Sequence, residues 1–145
     1  MEETTYIEEL KRRWPRQHDS NEPTQSTIQL VNAAVQEHPK SAQLWRMRGN
    51  LFELANFDTG YPLKECESSY RRAIKEDPYN PDSYLDLAWF LDAVMNKRRK
   101  AKRFFEKARL LRQAAKHRQF VANAVSCSGV TPNPLFKPDW LRQPA

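Results

Sequence analysis

The sequence predicts an all-α fold of antiparallel helix pairs stacked in an array, and three observations carry that expectation. One spacing recurs three times: a small residue, a bulky one four on, and Ala three further. Thr27, Val31 and Ala34 fit it, then Cys66, Tyr70 and Ala73, then Ala101, Phe105 and Ala108. Proline follows the alanine by five residues in the first two copies, at Pro39 and Pro78, and a second pattern precedes the later copies: Trp45, Gly49 and Phe52, then Tyr84, Leu87, Ala88 and Leu91. Finally, glycines number only 3 and the 10 prolines gather outside the periodic segments, which suits helices separated by proline punctuation. Such arrays are usually binding surfaces rather than catalysts.

Each element follows from local signals. Thr5 and Glu8 form a capping-box signature, Ile7, Leu10 and Trp14 share a face, and Pro15 closes a first helix over about 5–14. Arg16 to Asn21 is a polar loop, and Pro23 suits the first turn of a helix through Ile28, Val31, Ala34 and Val35 that stops before His38-Pro39. Ser41 caps a helix through Leu44, Trp45, Leu51, Phe52 and Ala55, followed by a turn cluster from Asn56 to Pro62. The next helix runs over about 63–76, and Pro78 and Pro81 force a break. A strongly apolar helix spans 82–95, and a basic helix starts near Lys97. It either continues or breaks near Gln113 into a short last helix, 114–125. Beyond Ser126, Pro132, Pro134, Pro138 and Pro144 exclude helix, yet Leu135, Phe136, Trp140 and Leu141 are apolar for a solvated tail.

A chain of 145 residues fits one domain with a core of its own. Cys66 lies at a small-residue packing position, Cys127 lies near the tail, and His18, His38 and His117 are scattered, so neither a disulfide framework nor a metal site is expected. The acidic stretch Met1 to Leu10 is no signal peptide and no run suits a membrane span, so the expectation is a cytoplasmic protein without membrane contact. Phosphate loops, nucleophile elbows and H-E-x-x-H are absent from the sequence, which points away from an enzyme and from any cofactor.

These spacings resemble the tetratricopeptide repeat, whose helix pairs follow W-x2-L-G-x2-Y, then A-x3-F, then P. Trp45, Gly49, Phe52, Cys66, Tyr70, Ala73 and Pro78 supply one copy, departing at Arg48, where leucine is usual, and carrying five extra residues around 58–62. Tyr84, Leu87, Ala88, Leu91, Ala101, Phe105 and Ala108 supply another, without the closing proline. A degenerate first copy matches only in its second helix. A weaker likeness is to half-a-TPR repeats of RNA-processing scaffolds, through Ala101-Lys102-Arg103-Phe104-Phe105-Glu106-Lys107-Ala108, although Pro39 and Pro78 fit those less well. The resemblance implies a right-handed α-solenoid of about three pairs plus a last helix, with repeats at 5–39, 41–78 and 81–112, a helical domain over 1–125 and a proline-rich tail over 126–145.

The resemblance also implies function: a small adaptor or scaffold, monomeric or homodimeric, that binds a protein or peptide in a groove lined by the first helix of each pair. Carried over, the groove residues are Arg46, Asn50, Glu53, Asp86 and Trp89, with Gln43, Asp82, Leu85 and Asp92 beside them. Arg46 and Asn50 match the opening of a carboxylate clamp found in some relatives, but Asp86 stands where its second asparagine belongs and would repel an anionic peptide end. A peptide with basic and aromatic residues suits this acidic face better; the rival reading buries Trp89 in the core. The tail has that chemistry in Lys137, Trp140 and Arg142, so Pro132 to Leu141 is expected either to fold back on the helices or to serve as a linear motif for a separate partner.

Charge is distributed unevenly. Residues 97–118 carry eleven Lys or Arg against Glu106 alone, while the rest carries thirteen basic and seventeen acidic residues. The patch Lys97, Arg98, Arg99, Lys100, Lys102 and Arg103 therefore supports an alternative function, nucleic-acid (RNA) association, or the docking of an acidic protein; the plain reading is a solvated face.

Overall fold

The computed structural model describes residues 1–16, 22–59 and 63–128. Among them run six α-helices and no strand: α1 (Glu3–Arg12), α2 (Gln25–Glu37), α3 (Ala42–Thr59), α4 (Leu63–Glu76), α5 (Pro81–Trp89) and α6 (Arg98–Ser128). Two compact units are distinguished, Met1–Leu111 and Arg112–Ala145. Of the second, only the continuation of α6 is described, and the expected tail segment, Pro132 to Leu141, lies outside the described residues.

Helix boundaries follow the caps, with several corrections. α1 starts before Thr5, and Glu2 occupies the cap position without a side-chain bond, so the Thr5–Glu8 box does not form. Burial of Tyr6 and Leu10 sets this helix instead, and it ends at Arg12 because Trp14 precedes a proline. Thr24, not Pro23, begins α2: its Oγ1 accepts the Thr27 N–H at 3.3 Å, which places Pro23 one position before the cap. Ser41 caps α3 as expected, accepting the Leu44 N–H at 3.3 Å. α3 then runs to Thr59, past the anticipated turn at Asn56.

Asn80 caps α5 through the Asp82 N–H at 3.0 Å, with Pro81 in the first turn. The apolar helix read over 82–95 does not stay regular. It widens into a π-helical turn, Phe90–Val94, in which the Met95 N–H donates to the Phe90 carbonyl five residues back at 3.1 Å. This turn carries the sequence neighbours Phe90 and Leu91 into the core together. Asn96 ends it at φ 52°, a left-handed conformation that asparagine tolerates better than most residues. α6 is continuous through Gln113, so the alternative of a separate helix over 114–125 falls away.

Within the first unit, α1 packs on α2, α2 on α3, α3 on α4 and α4 on α5. The small residues sit where helices meet: Thr27, Ala34, Cys66, Ala73, Ala88, Ala101 and Ala108 are all buried. Gly49 shows why size matters, since a Cβ placed there would lie 2.5 Å from the Tyr70 ring. That ring is itself buried and tilted against Phe90 at 5.6 Å between centroids. Close approach of α3 to α4 thus depends on the missing side chain at Gly49 and the aromatic filler at Tyr70.

Candidate binding face on α3 and α5

α3 and α5 touch directly, and their facing residues form a polar chain. The Arg46 Nε donates to Asp86 Oδ2 at 2.6 Å, and its Nη1 lies 3.8 Å from Asp82 Oδ2. One turn along α3, Tyr70 reaches up from α4, and its hydroxyl lies 2.7 Å from both Asn50 Oδ1 and Glu53 Oε2. The structure therefore brings together Arg46 with Asp86, and Asn50 with Glu53. An Arg46 guanidinium held by Asp86 is already answered, which weakens its use as the first grip of a carboxylate clamp.

Electrostatics agree with that arrangement. Desolvation raises the Asp86 carboxyl above its ordinary value, outweighing Arg46, with the Asp82 charge pushing the same way. Desolvation likewise raises Glu53, with Asp86 adding to it and the Tyr70 bond opposing it. Burial and the Glu53 charge push the Tyr70 phenol far up, so its hydroxyl keeps its proton. Asp82 and Asp86 lie against the Arg46 guanidinium, and the Glu53 carboxylate stands further along α3 on the Tyr70 hydroxyl. The face is electronegative.

Trp89 does not pack in the core. It is 59% exposed, its ring edge-on to Phe105 of α6 at 5.0 Å between centroids. Leu85, one turn earlier, is half-buried.

Two features escaped the sequence reading. Arg48, which stands where the repeat pattern has leucine, joins three helices: its Nε donates to Asn32 Oδ1 of α2 at 2.9 Å, and its Nη1 and Nη2 to Ser69 Oγ and Glu65 Oε2 of α4 at 2.5 and 3.0 Å. Its guanidinium also stacks on Phe52, 4.2 Å from the ring centroid. No spacing rule announces such a residue, although an arginine in a leucine slot was itself a signal. The second feature is a polar concavity of about 760 Å³ at the helix ends, lined by Glu3, Glu37, His38, Ser41, Glu76 and Asp77. Its polar groups are partly spent on one another: Ser41 Oγ donates to Glu3 at 2.6 Å, and the Tyr6 hydroxyl donates to Glu37 at 2.7 Å.

The basic-patch residues lie on α6 and the turn before it. Lys97 is half-buried, while Arg98, Arg99, Lys100, Lys102 and Arg103 are exposed. Cys66 is buried, and burial pushes its thiol up to about 11, which makes it inert at neutral pH. Cys127 is exposed. Among the described residues no His, Cys, Asp and Glu group is placed to hold a metal ion, and no helix is long and apolar enough to cross a membrane.

Comparison with known families gives a match over part of the chain. Residues 69–118, from the second half of α4 through α5 into α6, match the family model of the tetratricopeptide repeat. The chain carries a tetratricopeptide repeat. The match covers the segment in which Tyr70, Ala73, Tyr84, Ala88, Ala101, Phe105 and Ala108 fall, part of the spacing that carried the resemblance; Trp45, Gly49, Phe52 and Cys66 lie outside it. No curated protein and no solved structure matches the chain. Tetratricopeptide repeats are typically non-catalytic interaction modules, and a protein-interaction or scaffold role is the general function this places on the chain.

Proposed function

We propose that this tetratricopeptide-repeat chain is a small adaptor or scaffold that binds a protein or peptide segment on the α3–α5 face. The observation that carries the reading is an exposed Trp89 on α5, three residues from the Asp86 that pairs with Arg46 of α3. A large aromatic left in water, beside charges fixed by one another, is the composition of a recognition anchor with an ordered polar surround. The excess of carboxylates favours a segment carrying Lys or Arg with an aromatic or aliphatic neighbour. Arg46, Asn50, Glu53 and Asp86 set the charge and shape of the face, and Trp89 supplies the apolar contact.

Selection from a random peptide library tests this. Intact protein is expected to enrich basic-aromatic peptides, and Trp89→Ala is expected to weaken the selected peptides by about tenfold or more, the loss typical of an interface hot spot. Enrichment of acidic peptides, or equal binding by the Trp89→Ala variant, would discard the assignment.

A further inference from the structure

A second surface, distinct from the α3–α5 face, lies along α6. Ala101, Ala108 and Leu111 are buried and Phe104 and Phe105 half-buried, which fixes the inward side of the helix. The opposite side carries Arg98, Lys102 and Arg109 on one line, and Arg99, Arg103 and Leu110 on the next, with Glu106 between them. Over the 98–110 stretch this face is about 18 Å long at the α-helical rise.

Its charges are poorly answered. Among the described residues Arg99, Lys100, Lys102 and Arg103 take part in no ion pair; Arg98 lies 3.7 Å from Asp92, and Arg109 is bonded to Glu106. The first turn of α6 holds no acid. It opens beside a concavity of about 440 Å³ lined by Asn96, Lys97, Arg98, Arg99 and Lys100. Cations at a helix N-terminus oppose the helix dipole, and the pairs Arg98/Lys102 and Arg99/Arg103 repel at four-residue spacing. Local energetics would favour acids at these positions. Leu110 interrupts the charge, 41% exposed.

We propose that the outward face of α6 from Arg98 to Leu110 docks an acidic amphipathic segment of a partner protein. Carboxylates of that segment pair with Arg99, Lys102 and Arg103, and one of its apolar side chains covers Leu110. Two features favour this occupant over nucleic acid. Glu106 sits in the middle of the face, where it would repel a phosphate backbone but can set the register of a protein with mixed charge. The α6 aromatics that could stack on bases are turned away, Phe104 toward Tyr84 and Phe105 toward Trp89.

Fluorescence anisotropy with the full chain provides the test. The probes are a short peptide of Glu with Leu at helical spacing, an all-Glu peptide of equal charge, and single-stranded and duplex RNA of similar length. The Glu/Leu peptide is expected to bind about fivefold or more tighter than all-Glu, one apolar contact's worth, and to weaken as salt rises. Leu110→Ser, an exposed change expected to leave the circular-dichroism spectrum unaltered, is expected to erase that preference. The double reversal Arg99→Glu, Arg103→Glu is expected to weaken the peptide by about tenfold or more. RNA binding tighter than the Glu/Leu peptide with no effect of Leu110→Ser would assign the face to nucleic acid and overturn the proposal. Absence of binding by every probe would overturn it too.

Discussion

The α3–α5 face and the outward face of α6 treat charge in opposite ways. On the first, Arg46 is held by Asp86, and Glu53 and Asn50 share the Tyr70 hydroxyl. On the second, consecutive cations stand in solvent with little to balance them within the described chain. Groups that are desolvated must find partners inside the fold, because an unanswered charge there costs more than folding tolerates. Groups left in water are free of that demand, so their identity can be set by what binds from outside. Internal pairing therefore marks positions that hold the array together, and unrelieved charge marks positions where stability has little say.

The largest effect is expected where internal pairing is densest. Arg48→Ala would leave Asn32, Ser69 and Glu65 without their shared donor and uncover Phe52, at a cost of about 2–3 kcal/mol in chemical denaturation. Arg48→Lys should recover only part of that, since an ammonium cannot span two helices as the planar fork does. Full recovery by lysine would show that charge alone, not the fork, joins α2 to α4.

Next comes Gly49→Ala. The added carbon meets a Tyr70 ring whose hydroxyl is anchored on two side chains and which is packed, tilted, against Phe90, so the ring has little room to swing. Overpacking of this kind costs about 1–3 kcal/mol, against a helix-propensity gain of about 1 kcal/mol for Ala over Gly. A net loss of thermal stability is expected. A gain would mean that α3 and α4 can separate without penalty and that their close approach is not what the small-residue spacing records.

How much of this was legible in the sequence depends on whether a neighbour constrains residue type. Gly49, Ala88 and Ala101 were readable because close helix approach excludes larger side chains whatever else surrounds them. Arg48 was not, because its partners lie 16 to 21 residues away on two other helices and no local period connects them. The exposure of Trp89 was open for a different reason: the stretch from Tyr84 to Val94 is apolar nearly all round, so periodicity names no outward side. The π-helical turn that follows shifts the phase again. On α6 the inward side was readable from Ala101, Phe105 and Ala108, and the sum of charge along it from simple counting. What Arg99, Lys100 and Arg103 answer to could not be read, since among the described residues they take part in no ion pair, whereas Arg98 lies near Asp92 and Arg109 is bonded to Glu106.

A smaller effect should come from Glu53. Its carboxyl is raised in the folded state by burial, so folding disfavours its charged form, and the resulting penalty is present at neutral pH. As pH falls through the raised folded value, the native state takes up the proton before the unfolded chain does, and stability rises; Asp86 contributes in the same direction. Glu53→Gln keeps an acceptor for the Tyr70 hydroxyl without the charge. It is expected to match or slightly exceed the parent at pH 7 and to flatten the rise on acidification, read by thermal unfolding at a series of pH values. A rise of undiminished size in the variant would place the titration elsewhere.

The smallest change, and the one that separates the two faces most sharply, is the charge reversal on α6. Arg99→Glu with Arg103→Glu exchanges one like-charge pair for another, but it puts acid near the positive end of the helix dipole, sets a carboxylate at position 103 four residues before Lys107, and disturbs no buried contact, since both side chains are exposed. The melting temperature is therefore expected to rise by about 1–3 °C rather than fall. The same two substitutions are those expected to weaken the acidic peptide. A variant that is more stable yet binds less would show that these arginines are kept at a cost to the fold. A fall of several degrees would instead mean that Arg99 and Arg103 are held by contacts of their own, and the contrast between answered and unanswered charge would fail at its second member.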